Sequence, residues 1–138
     1  MARSEPVQVT WKQEGLLFEA STPHGTFALA SGLDEPGNGV TPMETLATAL
    51  ASCTAMDVAS ILKKMRQPLE ALSVEVSGER AEEHPKRFLD FEVVYRLKGE
   101  LDESKVARAI SLSEERYCSV AATLKPGVPI TSRFVIER

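Results

Sequence analysis

The sequence predicts an α+β protein that folds as one domain over residues 1–138. Two observations carry this prediction. Short segments that alternate apolar and polar residues, separated by Gly- and Pro-containing turns, are typical of β-strands and hairpins. One long segment, opened by a helix-capping pattern and almost free of polar residues, is typical of a buried helix. No internal repeat and no second domain boundary is evident in the chain.

Three strands are predicted before the long helix. Residues 7–11 and 16–19 flank a turn over 12–15 that contains Gly15, so they predict a hairpin. A third strand over 25–30 follows the Pro-containing turn at 22–25. Residues 31–40 are rich in Gly, Asp, Glu and Pro, and this composition predicts a loop.

The long helix is predicted from Thr41 to about Arg66, before Pro68. Thr41 is suited to cap it, a Pro follows at the first helical position, and Glu44 stands three residues after Thr41 as in a capping box. Residues 46–62 are small or apolar on nearly every side, which predicts burial all round. A chain this short can hardly cover such a helix alone, so we expect a partner subunit to contribute.

The remaining elements follow in order. Residues 72–79 and 88–97 alternate in period two around the charged loop 80–87, which predicts a second hairpin. Asp102 is expected to cap a helix that runs to about residue 116, with an apolar inner stripe. A short helical turn over 118–124 and a closing strand over 130–137 complete the chain. The inner stripe of the predicted helix comprises Val106, Ala109, Ile110 and Ser113.

Composition and charge favour some functions over others. The formal net charge of -4 argues against nucleic-acid binding, which requires a basic face. The most membrane-like segment, 40–62, carries Glu44 and Asp57 and is rich in Ala and Thr, so a buried helix is expected rather than a membrane span. The N-terminal residues have no apolar stretch typical of a signal peptide, which favours the cytoplasm.

No cofactor or metal is expected from the motifs. The two histidines, His24 and His84, lie in predicted turns and show no ligand spacing to either cysteine. The chain has neither a Gly-rich phosphate-binding loop between a strand and a helix nor a Gly-x-Ser-x-Gly motif.

The two cysteines are the candidate reactive groups, since cytoplasmic cysteines that serve a function are more often catalytic or redox-active than disulfide-bonded. Cys53 lies in the middle of the long helix, where a small buried core residue is the alternative interpretation. Cys118 precedes a short helix, whose amide dipoles favour a thiolate, so by position it is the more acidic thiol. The spacing of the two in sequence leaves open whether they meet.

Two motifs carry a resemblance to a known family. Residues 41–58 read TPMETLATALASCTAMDV, and residues 113–120 read SEERYCSV. Both resemble, in the same order, the two cysteine motifs of the OsmC/Ohr family of osmotically inducible and organic hydroperoxide resistance proteins. The resemblance implies a fold with two hairpin-containing sheets around a long buried helix, in an intertwined homodimer with active sites at the interface.

The resemblance also implies an activity. Cys53 would be the peroxidatic thiol that attacks an organic hydroperoxide, and Cys118 would resolve the sulfenic acid as a disulfide, which a cellular dithiol then reduces. Glu44, near the start of the same helix, is a further candidate catalytic residue if it reaches the thiol across the dimer interface. A nearby second thiol is the chemical means by which a sulfenic acid is trapped before further oxidation.

The chain departs from the family pattern in the residues that would activate the thiol. Active members place an Arg in a loop before the central helix, but residues 12–43 contain no Arg. Met43 follows Pro42 where those members have Glu, and Glu44, nine residues before Cys53, points to the opposite side of the helix. Glu44 is therefore better explained as a capping residue within its own chain.

A further acidic residue lies near the first thiol. Asp57 stands one helical turn after Cys53, where an ionised carboxylate disfavours a thiolate. With these departures the chain resembles a subgroup of the family that lacks the loop Arg. They leave open an alternative to the peroxidase, namely an OsmC-like protein that binds a small apolar ligand or senses redox state.

Overall fold

The computed structural model describes residues 1–32 and 39–138. Within them the chain forms a mixed α+β structure, which confirms the predicted class. The predicted loop 31–40 lies largely outside the described residues. The elements are β1 (Gln8–Trp11), β2 (Phe18–Thr22), β3 (Gly25–Leu29), α1 (Pro42–Lys64), β4 (Ala71–Ser77), β5 (Phe91–Lys98), α2 (Glu103–Leu112), a π-helical turn (Ser113–Tyr117), α3 (Ser119–Leu124) and β6 (Ile130–Glu137).

The chain divides into two compact units, residues 1–46 and residues 47–138. The first contains β1, β2, β3 and the opening turn of α1, and the second contains the rest of α1 and all later elements. The expectation of one domain over the whole chain stays a prediction.

The first unit is built on an antiparallel sheet in the order β1-β2-β3. The predicted hairpin is confirmed: the amide of Lys12 donates to the carbonyl of Leu17 at 2.9 Å, and the indole of Trp11 donates to the carbonyl of Gly15 at 2.9 Å. Few side chains of this unit are buried, Ala20 and Ala30 among them. Five large apolar side chains on or beside its strands remain exposed in the single chain: Val7, Val9, Trp11, Leu16 and Phe27.

The start of α1 has the predicted capping box. The amide of Glu44 donates to Oγ1 of Thr41 at 3.1 Å, and the amide of Thr41 donates to Oε1 of Glu44 at 2.9 Å. Two amides that the helix itself cannot satisfy are thereby paired. The capping interpretation of Glu44 is confirmed.

Beyond its first turns, α1 is buried along one stripe. Leu50, Thr54, Val58 and Leu62 recur every four residues and are fully buried. Most of the other side chains of the helix are only partly covered, and Met56 is 71% exposed. The single chain therefore buries one face of a helix whose sequence predicts burial all round.

The same helix is long and apolar enough, by length and composition, to cross a membrane. This is weak evidence, because the core helix of a soluble protein has the same properties. The carboxylate of Asp57, near the middle of α1, accepts a hydrogen bond from the hydroxyl of Ser113. A polar contact of this kind within the protein favours the predicted core helix.

The second unit is built on a three-stranded sheet with β5 in the centre. The second hairpin is confirmed, since β4 pairs antiparallel with β5. β6 pairs with the other edge of β5 in parallel, a direction that the sequence did not reveal. A parallel neighbour needs a crossover connection, and the segment with α2, the π-helical turn and α3 provides it. The inward side chains of β5 are buried: Phe91, Val93, Tyr95 and Leu97.

Helix α2 begins as predicted at Asp102, whose carboxylate accepts the amide of Ser104 at 2.9 Å. The predicted inner stripe is confirmed, because Val106, Ala109, Ile110 and Ser113 are all buried. The helix does not continue regularly to residue 116. At Ser113 it widens into the π-helical turn, which changes the direction in which the following residues leave the helix.

Candidate functional site

The candidate site is formed within the second unit, where α1 faces the end of the π-helical turn. Cys53 and Asp57 are four residues apart on α1 and therefore share a face of the helix. Sγ of Cys53, Sγ of Cys118 and a carboxylate oxygen of Asp57 all lie within 4.8 Å of one another. The fold therefore brings together the two thiols whose meeting the sequence spacing left open.

The π-helical turn sets the position of Cys118. The amide of Cys118 donates to the carbonyl of Ser113 at 2.7 Å. A hydrogen bond between residues five apart is the one that defines a π-helix. Cys118 leaves the turn in an extended conformation and becomes the N-cap of α3. Its sulfur accepts the amide of Ala121 at 3.3 Å, so the side chain is held on the side of the chain that faces Cys53.

Both cysteines are free thiols that differ in burial. Cys118 is buried, with 3% of its surface exposed, whereas Cys53 is half-buried. Their sulfur atoms lie within 4.8 Å of each other without being bonded, whereas the bond length in a disulfide is about 2.05 Å. The structure therefore corresponds to a reduced pair.

Ser113 connects the two sides of the site. Its hydroxyl donates to Oδ2 of Asp57 at 2.9 Å, and its carbonyl accepts the amide of Cys118 at 2.7 Å. Ser113 is fully buried. One residue thereby fixes the orientation of the carboxylate on α1 and the backbone position of the second thiol.

A network of polar contacts joins the buried Tyr95 to the π-helical turn. The hydroxyl of Tyr95 on β5 donates to Oε2 of Glu114, and the hydroxyl of Ser132 donates to Oε1 at 3.1 Å. The ammonium of Lys125 donates to the carbonyl of Glu114. Burial first, and Glu114 second, raise the pKa of Tyr95, so the phenol stays protonated as a donor. These bonds hold the π-helical turn against the central strand.

Burial also changes the acidity of the second thiol. It raises the pKa of Cys118 to about 11, and the neighbouring Cys53 contributes in the same direction. The amides of Ala121 and Val120 oppose this shift but do not cancel it. At Cys118, desolvation of the thiolate therefore outweighs the helix amides in setting the pKa, and the expectation that Cys118 is the more acidic of the two thiols stays a prediction.

The remaining candidates lie outside the cluster of thiols. Glu44 belongs to the first unit, and its carboxylate bonds to the amide of Thr41. A role for Glu44 in catalysis stays a prediction. His24 and His84 are both exposed, as expected for histidines in turns.

Sequence reasoning missed the partners of the thiols. Ser113 was predicted only as a member of the inner stripe of α2, and Tyr95 only as a strand residue. Ser113 is a hydroxyl on an otherwise apolar stripe, and a buried hydroxyl needs a hydrogen-bond partner, so this position was the signal for a polar contact. The carboxylate beside Cys53, in contrast, was predicted: Asp57 stands one helical turn after Cys53, and its oxygen lies within 4.8 Å of both sulfur atoms.

Together, the fold and the site define a class: an α+β protein with one thiol on a long helix and a second thiol directly after a π-helical turn. Comparison with known proteins identifies the family. The sequence profile described as OsmC-like protein matches residues 35–133, about seven-tenths of the chain. The chain therefore belongs to the OsmC/Ohr family, and the resemblance of its two cysteine motifs is confirmed.

Individual relatives agree with this assignment. The chain is 37% identical over 130 residues to the protein YhfA of Escherichia coli K12, which covers 94% of this chain and 96% of YhfA. A crystal structure of a hypothetical protein from Aquifex aeolicus is 32% identical, with a TM-score of 0.83 and all of both chains covered. The organic hydroperoxide resistance protein OhrB of Bacillus subtilis shares the fold, with a TM-score of 0.63 at 16% identity and coverage of 94% of this chain and 96% of OhrB.

Proposed function

We propose that the protein is a thiol-dependent peroxidase that reduces organic hydroperoxides through Cys53 and Cys118. The observation that carries the proposal is the approach of the two sulfur atoms to within 4.8 Å in the reduced chain. Membership of the OsmC/Ohr family supports it, because organic hydroperoxide resistance names a branch of that family.

The first step of the proposed reaction takes place at Cys53, the more accessible thiol. Its thiolate attacks the terminal oxygen of the hydroperoxide, an S–O bond forms and the O–O bond breaks. The electron pair of the broken bond leaves on the alkoxide, which takes a proton and becomes an alcohol. Cys53 is then a sulfenic acid, oxidised by two electrons.

The second step restores the enzyme. The sulfur of Cys118 loses its proton and attacks the sulfur of the Cys53 sulfenic acid, and hydroxide leaves to become water. A dithiol reductant then reduces the disulfide and becomes a disulfide itself. The sum is one hydroperoxide and one dithiol converted to one alcohol, one water and one disulfide. Because the pKa of Cys118 is raised to about 11, disulfide formation should accelerate as pH rises towards that value.

A non-peroxidatic redox sensor is the second candidate, and the charge around the thiols favours it. Among the described residues the side-chain ion pairs are Arg96–Glu75 and Arg138–Glu100, and neither involves the site. Residues 12–43 contain no Arg, and Asp57 adds negative charge. A sensor would form the same disulfide once but would not turn over rapidly.

A steady-state assay tests the peroxidase directly. The reduced protein is mixed with cumene hydroperoxide or hydrogen peroxide, and with dihydrolipoamide or dithiothreitol as reductant. We expect sustained consumption, faster with cumene hydroperoxide, because a thiol on an apolar helix favours a substrate with an apolar group. A single burst of one equivalent per chain without further consumption would support the sensor and contradict the peroxidase.

We further propose that the working protein is a homodimer. The support is the apolar surface that the single chain leaves exposed on two elements, the β1–β3 sheet with Trp11 53% exposed and α1 with Met56 71% exposed. Light scattering at micromolar concentration should give twice the chain mass of 15.1 kDa. A folded monomer at that concentration would contradict both the dimer and an active site shared between subunits.

A further inference from the structure

We propose that the reduced chain binds one Zn²⁺ ion through Cys53, Cys118 and Asp57. The sequence predicted no metal site, since it offered no spacing typical of zinc ligands. The fold, however, places two sulfur atoms and a carboxylate oxygen within 4.8 Å of one another. This inference is independent of the proposed peroxidase activity, because it concerns the reduced chain without hydroperoxide.

The spacing of these atoms fits a zinc ion. Zinc binds thiolate sulfur at about 2.3 Å and carboxylate oxygen at about 2.0–2.2 Å in tetrahedral geometry, so two sulfur ligands of one ion lie about 3.8 Å apart. Ligand atoms within 4.8 Å need only small side-chain rotations to reach those distances. Thiolates are soft ligands, which favours zinc over magnesium or calcium. Three protein ligands leave the fourth position for water.

The surroundings of the ligands are organised as in metal sites. Ser113 donates to Oδ2 of Asp57 at 2.9 Å, which orients the carboxylate and leaves its other oxygen available. The amide of Ala121 donates to Sγ of Cys118 at 3.3 Å. Hydrogen bonds of this kind to ligating groups fix their orientation, and their loss typically lowers metal affinity by about 10- to 100-fold.

The charge of the cluster also favours a cation. Two thiolates and one carboxylate would carry three negative charges, and none of the three residues takes part in a salt bridge of the described chain. A divalent ion bound between them would neutralise two of these charges. The same carboxylate that disfavours a free thiolate at Cys53 thus becomes a ligand when a cation is present.

Cobalt substitution tests the site with a direct spectroscopic signal. Co²⁺ titrated into the reduced, metal-free protein should give thiolate-to-cobalt charge-transfer absorption and the strong visible bands of a four-coordinate ion, saturating at one ion per chain. Zn²⁺ should abolish these bands by displacement. Cobalt that binds without charge-transfer absorption would overturn the proposal whether or not any variant folds.

Variants assign the ligands. Asp57→Asn, which keeps an acceptor for Ser113, should weaken Zn²⁺ binding by about 100-fold or more in competition with a chromophoric chelator, because loss of a residue that merely supports a ligand already costs about 10- to 100-fold. Glu115→Gln, an exposed control beside the site, should leave it unchanged. Cys53→Ser and Cys118→Ser should each reduce the charge-transfer band of Co²⁺. If Asp57→Asn and Glu115→Gln bind Zn²⁺ with the same affinity, Asp57 is not a ligand. If a chain with both cysteines replaced by Ser binds Zn²⁺ as tightly as the unchanged protein, the bound metal is an adventitious ion only.

Discussion

Replacing Cys53 by Ser is expected to abolish hydroperoxide reduction, a fall of roughly a thousandfold or more, because a serine hydroxyl at neutral pH cannot replace the attacking thiolate. The fold should survive the change, since Cys53 is only half-buried and Ser has nearly the same size. The measurement is consumption of cumene hydroperoxide with dithiothreitol in excess. Residual turnover within tenfold of the unchanged protein would contradict the assignment of Cys53.

The matched variant is Cys118→Ser, which removes the second thiol alone. It should react with a first equivalent of hydroperoxide to give the sulfenic acid of Cys53 and with a second equivalent to give the sulfinic acid, because no thiol is left beside the sulfenic acid to trap it. Mass spectrometry of the cysteine peptides follows both products. If Cys118→Ser kept full turnover with the dithiol and gave no overoxidation, Cys118 would have no resolving role.

Replacing Asp57 by Asn should accelerate alkylation of Cys53 near neutral pH by about tenfold. Unit charges 4.8 Å apart repel each other by about 1 kcal/mol in water and about 3 kcal/mol in a medium typical of a protein surface. A half-buried site lies between these limits, and about 1.4 kcal/mol corresponds to tenfold. The measurement is iodoacetamide alkylation in the Cys118→Ser background, with a chelator present.

A control variant shows whether the effect is specific to the carboxylate beside the thiol. Glu115→Gln in the same background is the control and should leave the rate unchanged. An alkylation rate that falls in Asp57→Asn would show that the carboxylate assists proton loss from the thiol instead of opposing it.

Local sequence signals predicted the elements that position the site. The capping box at Thr41 and Glu44 and the cap at Asp102 depend on neighbours within three residues, so their chemistry is readable from the sequence and agrees with the structure. The alternation of β5 and the inner stripe of α2 follow from periodicity alone. The closing strand Ile130–Glu137 has the predicted bounds.

The parts that escaped prediction depend on contacts between distant segments. The parallel pairing of β6 with β5 follows from the path of the crossover, and the bond between Ser113 and Asp57 joins residues 56 apart. The π-turn before Cys118 has no simple periodic signature. The burial that raises the pKa of Cys118 is a property of the folded core and cannot be read from neighbouring residues. The helix start that suggested a lower pKa is a local feature of the sequence.

The central claim is that Cys53 and Cys118 of one chain form a redox pair. The most direct test adds one equivalent of cumene hydroperoxide to the reduced, metal-free protein and maps the cysteine peptides without reduction. We predict loss of both free thiols, a disulfide between the Cys53 and Cys118 peptides, and a single band at 15.1 kDa on a non-reducing denaturing gel. Two free thiols after this treatment, or a disulfide that links two chains, would contradict the account.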